Sequence, residues 1–174
     1  MLLLVSGCQF VLPSHDYYSF GVARIGEEIH IVAPLCDGER IVGVEAYDND
    51  ALGRESSPDP ASTRFTYWKV EQPVDASVAE GRIVLGDDSA YQVTTVPAGS
   101  NIGLPELVGV TLHVDSGGDH VVEDVFAVAE VPAYPATANP EDVEYVYQAG
   151  SNEERLMTPG KIRQQSKCAA DYPA

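Results

Sequence analysis

The sequence contains no long hydrophobic run, since none of its stretches approaches the roughly 20 apolar residues that a membrane-spanning helix needs. Basic residues are also scarce: 10 lysines and arginines stand against 27 aspartates and glutamates, for a net charge of −17. A surface of that sign repels the phosphates of nucleic acids, which excludes nucleic-acid binding. The apolar content of 44%, spread along the chain, is typical of a folded domain.

The common catalytic motifs are absent as well. The chain has no Gly-x-Ser-x-Gly, Ser-x-x-Lys or His-Glu-x-x-His sequence and no glycine-rich phosphate loop. The adjacent carboxylates of Asp87-Asp88 and Glu123-Asp124 would face opposite ways on a strand, which does not suit a shared acid–base site. The sequence therefore favours a binding role over catalysis.

The residues from 17 to 131 show a repeating strand pattern. Segments rich in β-branched and aromatic residues alternate with Gly, Pro and Asp turns, which predicts an all-β, antiparallel β-sandwich of immunoglobulin- or fibronectin-like build. The predicted strands are 17–25, 28–33, 40–47, 64–72, 82–85, 91–96, 107–114 and 120–131. Trp68 is expected in the core, and Glu123-Asp124 is expected to mark a bulge.

Two stretches interrupt or follow this pattern. Residues 48–63 form a polar loop with two prolines, long enough to be either functional or mobile. Residues 132–174 are expected to form a Pro-rich linker and a tail that packs on the sandwich. Within that tail, Thr158-Pro159 offers a helix N-cap followed by proline, which predicts a short helix over 160–168.

The amino terminus carries a short processing-like motif. Val5-Ser6-Gly7-Cys8 follows an apolar run and resembles the lipobox of bacterial lipoproteins. The resemblance implies removal of residues before Cys8, a fatty-acyl anchor (palmitate or similar) on Cys8, and a location on the extracytoplasmic face of the membrane. Residues 9–16 would then be a tether. Some bacteriophage genomes encode small lipoproteins of this general kind, so a prophage origin is one alternative.

The apolar run before Cys8 is shorter than a secretory signal requires. Such a signal has a basic segment and an apolar core of about 7–15 residues, whereas this run is Leu2–Val5 and no Lys or Arg precedes Cys8. We expect the true start of translation to lie upstream of Met1. The competing interpretation is an acidic cytosolic protein in which Cys8 is incidental.

Export would also decide the state of the other two cysteines. With Cys8 lipidated, Cys36 and Cys168 would form a disulfide that fastens the tail to the sandwich; in the cytosol they would be free thiols. The tail is relatively basic, since Arg155, Lys161, Arg163 and Lys167 fall in the last twenty residues. These charges either dock the tail on the acidic body or face lipid head groups.

Two metal-site hypotheses follow from polar clusters. If Gly117-Gly118 is a two-residue hairpin turn, Asp115 pairs with His120, and His113, Asp115 and His120 share a face that could bind zinc. That would make the protein a metal-binding protein or a metal-dependent hydrolase. The alternative is an ordinary exposed hairpin.

A calcium site is the second metal hypothesis. Asp48-Asn49-Asp50 resembles the start of a calcium loop, although Leu52 and Asp59 stand where an EF-hand needs an oxygen ligand and a glutamate. An exposed acidic turn fits this segment better. The leading hypothesis from the sequence is thus a lipid-anchored, non-catalytic lipoprotein that binds an unknown protein or small molecule.

Overall fold

The computed structural model describes residues 19–57, 59, 61–115, 119–148 and 154–164. Its strands are β1 (Gly21–Ile25), β2 (Glu28–Val32), β3 (Arg40–Asp48), β4 (Thr66–Pro73), β5 (Arg82–Val84), β6 (Tyr91–Val96), β7 (Leu107–Asp115), β8 (Asp119–Ala127), β9 (Ala133–Tyr134), β10 (Tyr145–Gln148) and β11 (Glu154–Met157). The short helices are α1 (Asn49–Gly53), α2 (Ala76–Ala79) and α3 (Pro159–Arg163). None of the helices in this part of the chain is long and apolar enough to cross a membrane.

The strands form two sheets. Sheet A has the order β11-β10-β1-β2-β5, with the short β9 beside β1, and sheet B has the order β6-β4-β3-β7-β8. All pairings are antiparallel except that of β9 with β1. Two packed, mostly antiparallel sheets are the architecture of a β-sandwich, so the predicted all-β fold class is confirmed.

The core lies between the sheets because each strand alternates apolar and polar residues. In β7, for example, Val108, Val110 and Leu112 are fully buried, whereas the intervening side chains point away from the core. Trp68 of β4 is completely buried, as predicted, and its indole Nε1 donates a hydrogen bond of 2.8 Å to Asp88 Oδ1. The T-shaped contact of Trp68 with Tyr91, at 5.4 Å between ring centroids, fixes its orientation.

A second apolar cluster covers the outer side of sheet A. It contains residues of β1, β2 and β10 together with Val143 and Ile162 of the C-terminal region. Short strands run through the region predicted as a linker and tail: β10 and β9 both pair with the edge of β1 that faces away from β2, and β11 pairs with β10. The sequence does not predict these strands because each is short and depends on a pairing partner elsewhere in the chain.

Helix α3 begins where the sequence predicts and ends earlier. Thr158 is its N-cap residue, Pro159 lies in its first turn, and the helix ends at Arg163 instead of near 168. Ile162 is fully buried, and Arg163 Nη2 lies 2.8 Å from Glu141 Oε2. Glu141 belongs to the same C-terminal region as Arg163, so docking of the tail's cations on the sandwich body stays a prediction; Lys167 lies outside the described residues.

Two further sequence predictions concern sheet B and its loop. The expected bulge at Glu123-Asp124 is wrong, because β8 pairs with β7 in continuous register from Asp119 to Ala127. The two carboxylates do face opposite ways: Glu123 pairs with Thr111, and Asp124 pairs with the buried Val110. The polar loop contains α1, whose N-cap is Asp48.

Candidate functional site

The outer face of sheet B carries a polar row at its centre. The strand registers place Lys69, Glu45, Thr111 and Glu123 side by side on β4, β3, β7 and β8. Each of these residues stands next to buried apolar residues along its strand. Because successive side chains of a strand point to opposite faces, the row points outward and its apolar neighbours point into the core. Whereas apolar residues of the C-terminal region cover the outer side of sheet A, this face carries polar side chains.

The segment between β3 and β4 lies beside the polar row and leaves a cleft of about 570 Å³. The sheet contributes Glu45, Tyr47, Thr66, Thr111 and Glu123 to the lining. The segment contributes Leu52, Glu55, Ser57, Asp59, Ser62, Arg64 and Phe65. Two aromatic rings, several hydroxyl groups and four carboxylates thus meet in one concave site, whose volume lies in the range typical of small-ligand sites.

Tyr47 forms part of the floor of the cleft because Gly109 leaves it room. A Cβ atom at Gly109 would lie 2.4 Å from two atoms of the Tyr47 ring, so only glycine allows the ring to lie against β7. Burial raises the pKa of the Tyr47 phenol, the carboxylates of Glu123 and Glu45 raise it further, and a hydrogen bond with Thr111 opposes the rise. The hydroxyl therefore stays protonated at neutral pH.

Partners within the protein hold the carboxylates of the polar row in place. Glu45 accepts hydrogen bonds from Lys69 Nζ at 2.7 Å and from Thr66 Oγ1 at 3.1 Å. Glu123 accepts one from Thr111 Oγ1 at 2.9 Å. Both carboxylates are thus oriented by the sheet.

On the side of the cleft formed by the segment between β3 and β4, a cationic side chain of the protein itself contacts a carboxylate and an aromatic ring. Arg64 forms an ion pair with Glu55, and its guanidinium carbon lies 4.2 Å from the centroid of the Phe65 ring. An aromatic face and a carboxylate together are a favourable environment for a cationic group. Arg64 is the single basic residue among the described lining residues, against four carboxylates, so the cleft carries an excess of negative charge.

The structure does not bring the predicted zinc ligands together as expected. Asp115 pairs with Asp119, and His120 pairs with Val114, so the predicted pairing of Asp115 with His120 is wrong. The reason is that three residues, 116–118, lie between the last paired positions instead of two, which shifts the register by one residue. His113 and Asp115 alternate with the buried Val114 and share the outer side of β7.

The acidic turn proposed for calcium has a local structural role. Asp48 Oδ1 accepts a hydrogen bond of 2.9 Å from the backbone N–H of Ala51 and caps α1, and Asp50 lies 3.4 Å from Arg54. Within the described part of the chain, no group of three or more His, Cys, Asp or Glu side chains is arranged to hold a metal ion.

The three cysteines are only partly described. Cys36 is disulfide-bonded, and its backbone N–H donates a hydrogen bond of 2.8 Å to Glu39 Oε2. Cys8 and Cys168 lie outside the described residues. The pairing of Cys36 with Cys168 and the lipidation of Cys8 therefore stay predictions.

Sequence reasoning did not identify the residues of the cleft. Glu45 and Tyr47 alternate with Val44 and Ala46 in β3, which is a signal for an outward polar face but not for a site. The second signal is the length of the polar loop at residues 48–63, which indicates a functional or mobile segment. The register that joins these strands could not be read from either signal.

Comparison of the chain with known proteins finds no matching family model, no matching curated protein and no matching solved structure.

Proposed function

We propose that this protein is a lipid-anchored, extracytoplasmic lipoprotein of the cell envelope that binds a cationic organic ligand and performs no catalysis. The observation that carries the binding role is the cleft of about 570 Å³ on the outer face of sheet B, with its two aromatic rings and four carboxylates. Lipobox-like residues 5–8 support the anchor, and the disulfide at Cys36 supports an oxidising compartment.

The cleft favours a ligand that combines a cationic group with an apolar or aromatic body. Glu123 accepts a hydrogen bond from the Thr111 hydroxyl through Oε1, and its carboxylate has further acceptor capacity toward the cleft. Tyr47 and Phe65 provide apolar surface beside that carboxylate. A ligand ammonium group near Glu123 with its carbon skeleton against these rings would use both features.

The ligand class is tested by titration calorimetry with benzylamine and its uncharged analogue benzyl alcohol. We expect benzylamine to bind more tightly, and Glu123→Gln to weaken its binding by about tenfold, the loss of one charge-assisted hydrogen bond. Glu80→Gln is the matched control, because Glu80 is exposed and does not line the cleft. Equal binding of the two compounds, or an equal effect of the two substitutions, would contradict cation selection.

The anchor is tested by labelling cells with radioactive palmitate while the gene is expressed from its own genomic DNA, upstream region included. We expect label in the wild-type protein and none in the Cys8→Ser variant. Label that persists in Cys8→Ser, or an unlabelled wild-type protein, would refute lipidation at Cys8. The calorimetric experiment measures ligand binding and does not require the lipid anchor, so the binding role and the anchor can fail separately.

A further inference from the structure

Strand β6 forms one edge of sheet B and has an unusual composition for this protein. Its sequence, Tyr-Gln-Val-Thr-Thr-Val, contains neither a charged residue nor a proline, although 21% of the chain is charged. Among the described strands it pairs with β4 alone. The side chains from Gln92 to Thr95 are exposed.

The other three sheet edges are protected in ways that natural proteins use against strand pairing. In sheet A, β5 has only three residues, and two of the four residues of β11 are charged. In sheet B, β8 carries Glu123 on its outer face and Asp124 in register with the buried Val110, where Ser19 Oγ donates to the carboxylate. Only β6 combines several residues of length with an uncharged sequence among these edges.

The backbone of β6 presents hydrogen-bonding groups outward at alternate residues. The N–H of Val74 donates to the carbonyl of Ala90 at 2.9 Å, which identifies Ala90, and then Gln92, as the positions whose groups face β4. The N–H and C=O groups of Val93 and the C=O of Tyr91 therefore point away from the sheet, whereas the N–H of Tyr91 donates to the carbonyl of Asp88 in the turn before the strand. A register shift after Thr94 limits this regular edge to the stretch from Tyr91 to Thr94.

The charged residues around β6 determine which charge a pairing strand should carry. Glu71 lies beside Val93 in the register, Asp87 and Asp88 directly precede the strand, and Asp75 follows Val74. The nearest described cation on β4, Lys69, is bound by Glu45. A second copy of this chain would bring a further net charge of −17 and would be repelled from this edge.

We infer that β6 is a strand-addition site for an extended segment of a partner protein that bears lysine or arginine side chains. Backbone hydrogen bonds to the N–H and C=O of Val93 and to the C=O of Tyr91 would hold the segment, and its cationic side chains would lie near Glu71 and the aspartates around β6. The exposed Val74 and Val93, at 66% and 36% exposure, would contact its apolar side chains. This site lies apart from the cleft and does not depend on the proposed ligand.

The test uses two short synthetic peptides, one with alternating lysine and valine and one with alternating glutamate and valine. We expect the lysine peptide to bind and to protect the Val93 amide from hydrogen exchange, as followed by NMR. The glutamate peptide should not bind. Equal binding of both peptides, or protection confined to other strands, would overturn the inference.

Substitution at Val93 separates strand addition from general attraction to an acidic protein. Val93→Pro removes an outward N–H without touching the ladder to β4, and should weaken the lysine peptide by about tenfold or more. Val93→Thr keeps the N–H and should bind within about twofold of wild type. An unchanged affinity in Val93→Pro, with its fold verified by circular dichroism, would contradict the inference.

Two controls identify the site and the occupant. Glu123→Gln should leave peptide binding unchanged, because that residue belongs to the cleft; a loss there would assign the peptide to the cleft instead. Analytical ultracentrifugation of the protein alone should show a monomer. A dimer that Val93→Pro abolishes would make a second copy the occupant and refute a cationic partner.

Discussion

Gly21 is the residue at which the C-terminal helix meets the sandwich. A Cβ atom built there would lie 2.4 Å from Ile162 Cδ1 and 2.9 Å from Tyr145 Cβ. Both neighbours are buried: Ile162 Cδ1 is the end of a fully buried side chain, and Tyr145 Cβ is attached directly to the backbone. The absence of a side chain at this position is therefore what allows α3 to lie directly on β1.

Gly21→Ala should lower the free energy of unfolding by about 1–3 kcal/mol, the usual cost of overpacking, measured by urea denaturation. Gly53→Ala is the matched control, because a Cβ there meets nothing within 4 Å, and it should change stability little. Truncation by Ile162→Ala should cost less in the Gly21→Ala background than in wild type, since it also relieves the contact. Additive effects of the two substitutions would contradict this account.

Two buried tyrosines differ in what their hydroxyl groups do. Tyr145 Oη donates to the carbonyl of Pro140 at 3.2 Å, whereas Tyr91 Oη has no hydrogen-bond partner among the described residues. Tyr145→Phe should therefore cost about 1 kcal/mol of unfolding free energy at neutral pH, and Tyr91→Phe should be neutral or stabilising. Urea denaturation compares the two; a larger loss in Tyr91→Phe than in Tyr145→Phe would show that the assignment is wrong.

The same residues set the response to alkaline pH. Burial raises the pKa of Tyr145 to about 12, the Glu141 carboxylate adds to the rise, and the Arg82 and Arg163 guanidinium groups oppose it. In the unfolded chain the phenol titrates near pH 10, so the folded state binds the proton more tightly. Stability should be complete below about pH 10 and should fall as the pH rises toward about 12.

Tyr145→Phe removes this titrating group and should flatten the alkaline loss. Urea midpoints measured at a series of pH values above neutrality, for wild type and Tyr145→Phe, give the comparison. Burial also raises the pKa of Tyr91, with Asp87 adding to the effect, so Tyr91→Phe should act in the same direction. An identical alkaline slope in all three proteins would contradict the linkage.

At the scale of elements, the eight strands β1 to β8 could be predicted from the sequence, whereas the short strands β9, β10 and β11 of sheet A could not. The bounds of β6, at 91–96, agree with the prediction, because Gly, Pro and Asp turns delimit each strand of the sandwich and β-branched residues fill it. β10 has no such independent signal, since it is four residues long and depends on pairing with β1. Helix α1 was not predicted, because Asp48 and Asp50 were interpreted as part of an acidic turn or a calcium loop and not as residues of a helix cap.

The cleft was unpredictable for a related reason. The pattern of each strand shows which side chains point outward, but it does not show which strands are neighbours. Glu45, Thr111 and Glu123 become adjacent only through the order β3-β7-β8 and its register. The predicted pairing of Asp115 with His120 was wrong for the same reason, because three residues lie between the last paired positions of β7 and β8 instead of two and Asp115 pairs with Asp119.

Helix α1 links the acidic turn to the cleft, because its Leu52 and the following Glu55 line the site. Asp48→Ala removes the cap on Ala51 N–H and should cost about 1 kcal/mol of stability. It should also weaken benzylamine binding, because α1 and the residues after it position that wall. Asp50→Ala is the control, since its exposed pair with Arg54 contributes little. Equal effects of the two substitutions on binding would show that the cap does not position the wall.

At the scale of the whole molecule, the identity of the cysteine bonded to Cys36 tests whether Cys8 is available for lipidation in an exported protein. Cys36 is disulfide-bonded, and the chain has only two other cysteines, Cys8 and Cys168. A thiol acylated with lipid cannot also form a disulfide, so lipidation of Cys8 requires Cys168 as the partner. Such a bond would close a loop of about 130 residues and contribute about 4–5 kcal/mol on the chain-entropy model, as an upper guide.

Peptide mapping of the exported protein without reduction should therefore yield one linked pair that contains Cys36 and Cys168. Reduction, Cys36→Ser and Cys168→Ser should lower the unfolding temperature by similar amounts, because each opens the same loop. Cys8→Ser should leave that temperature unchanged and should release the protein from the membrane fraction. A peptide linking Cys36 to Cys8 would refute the lipid anchor, while the cleft on sheet B and the edge at β6 would keep their own tests.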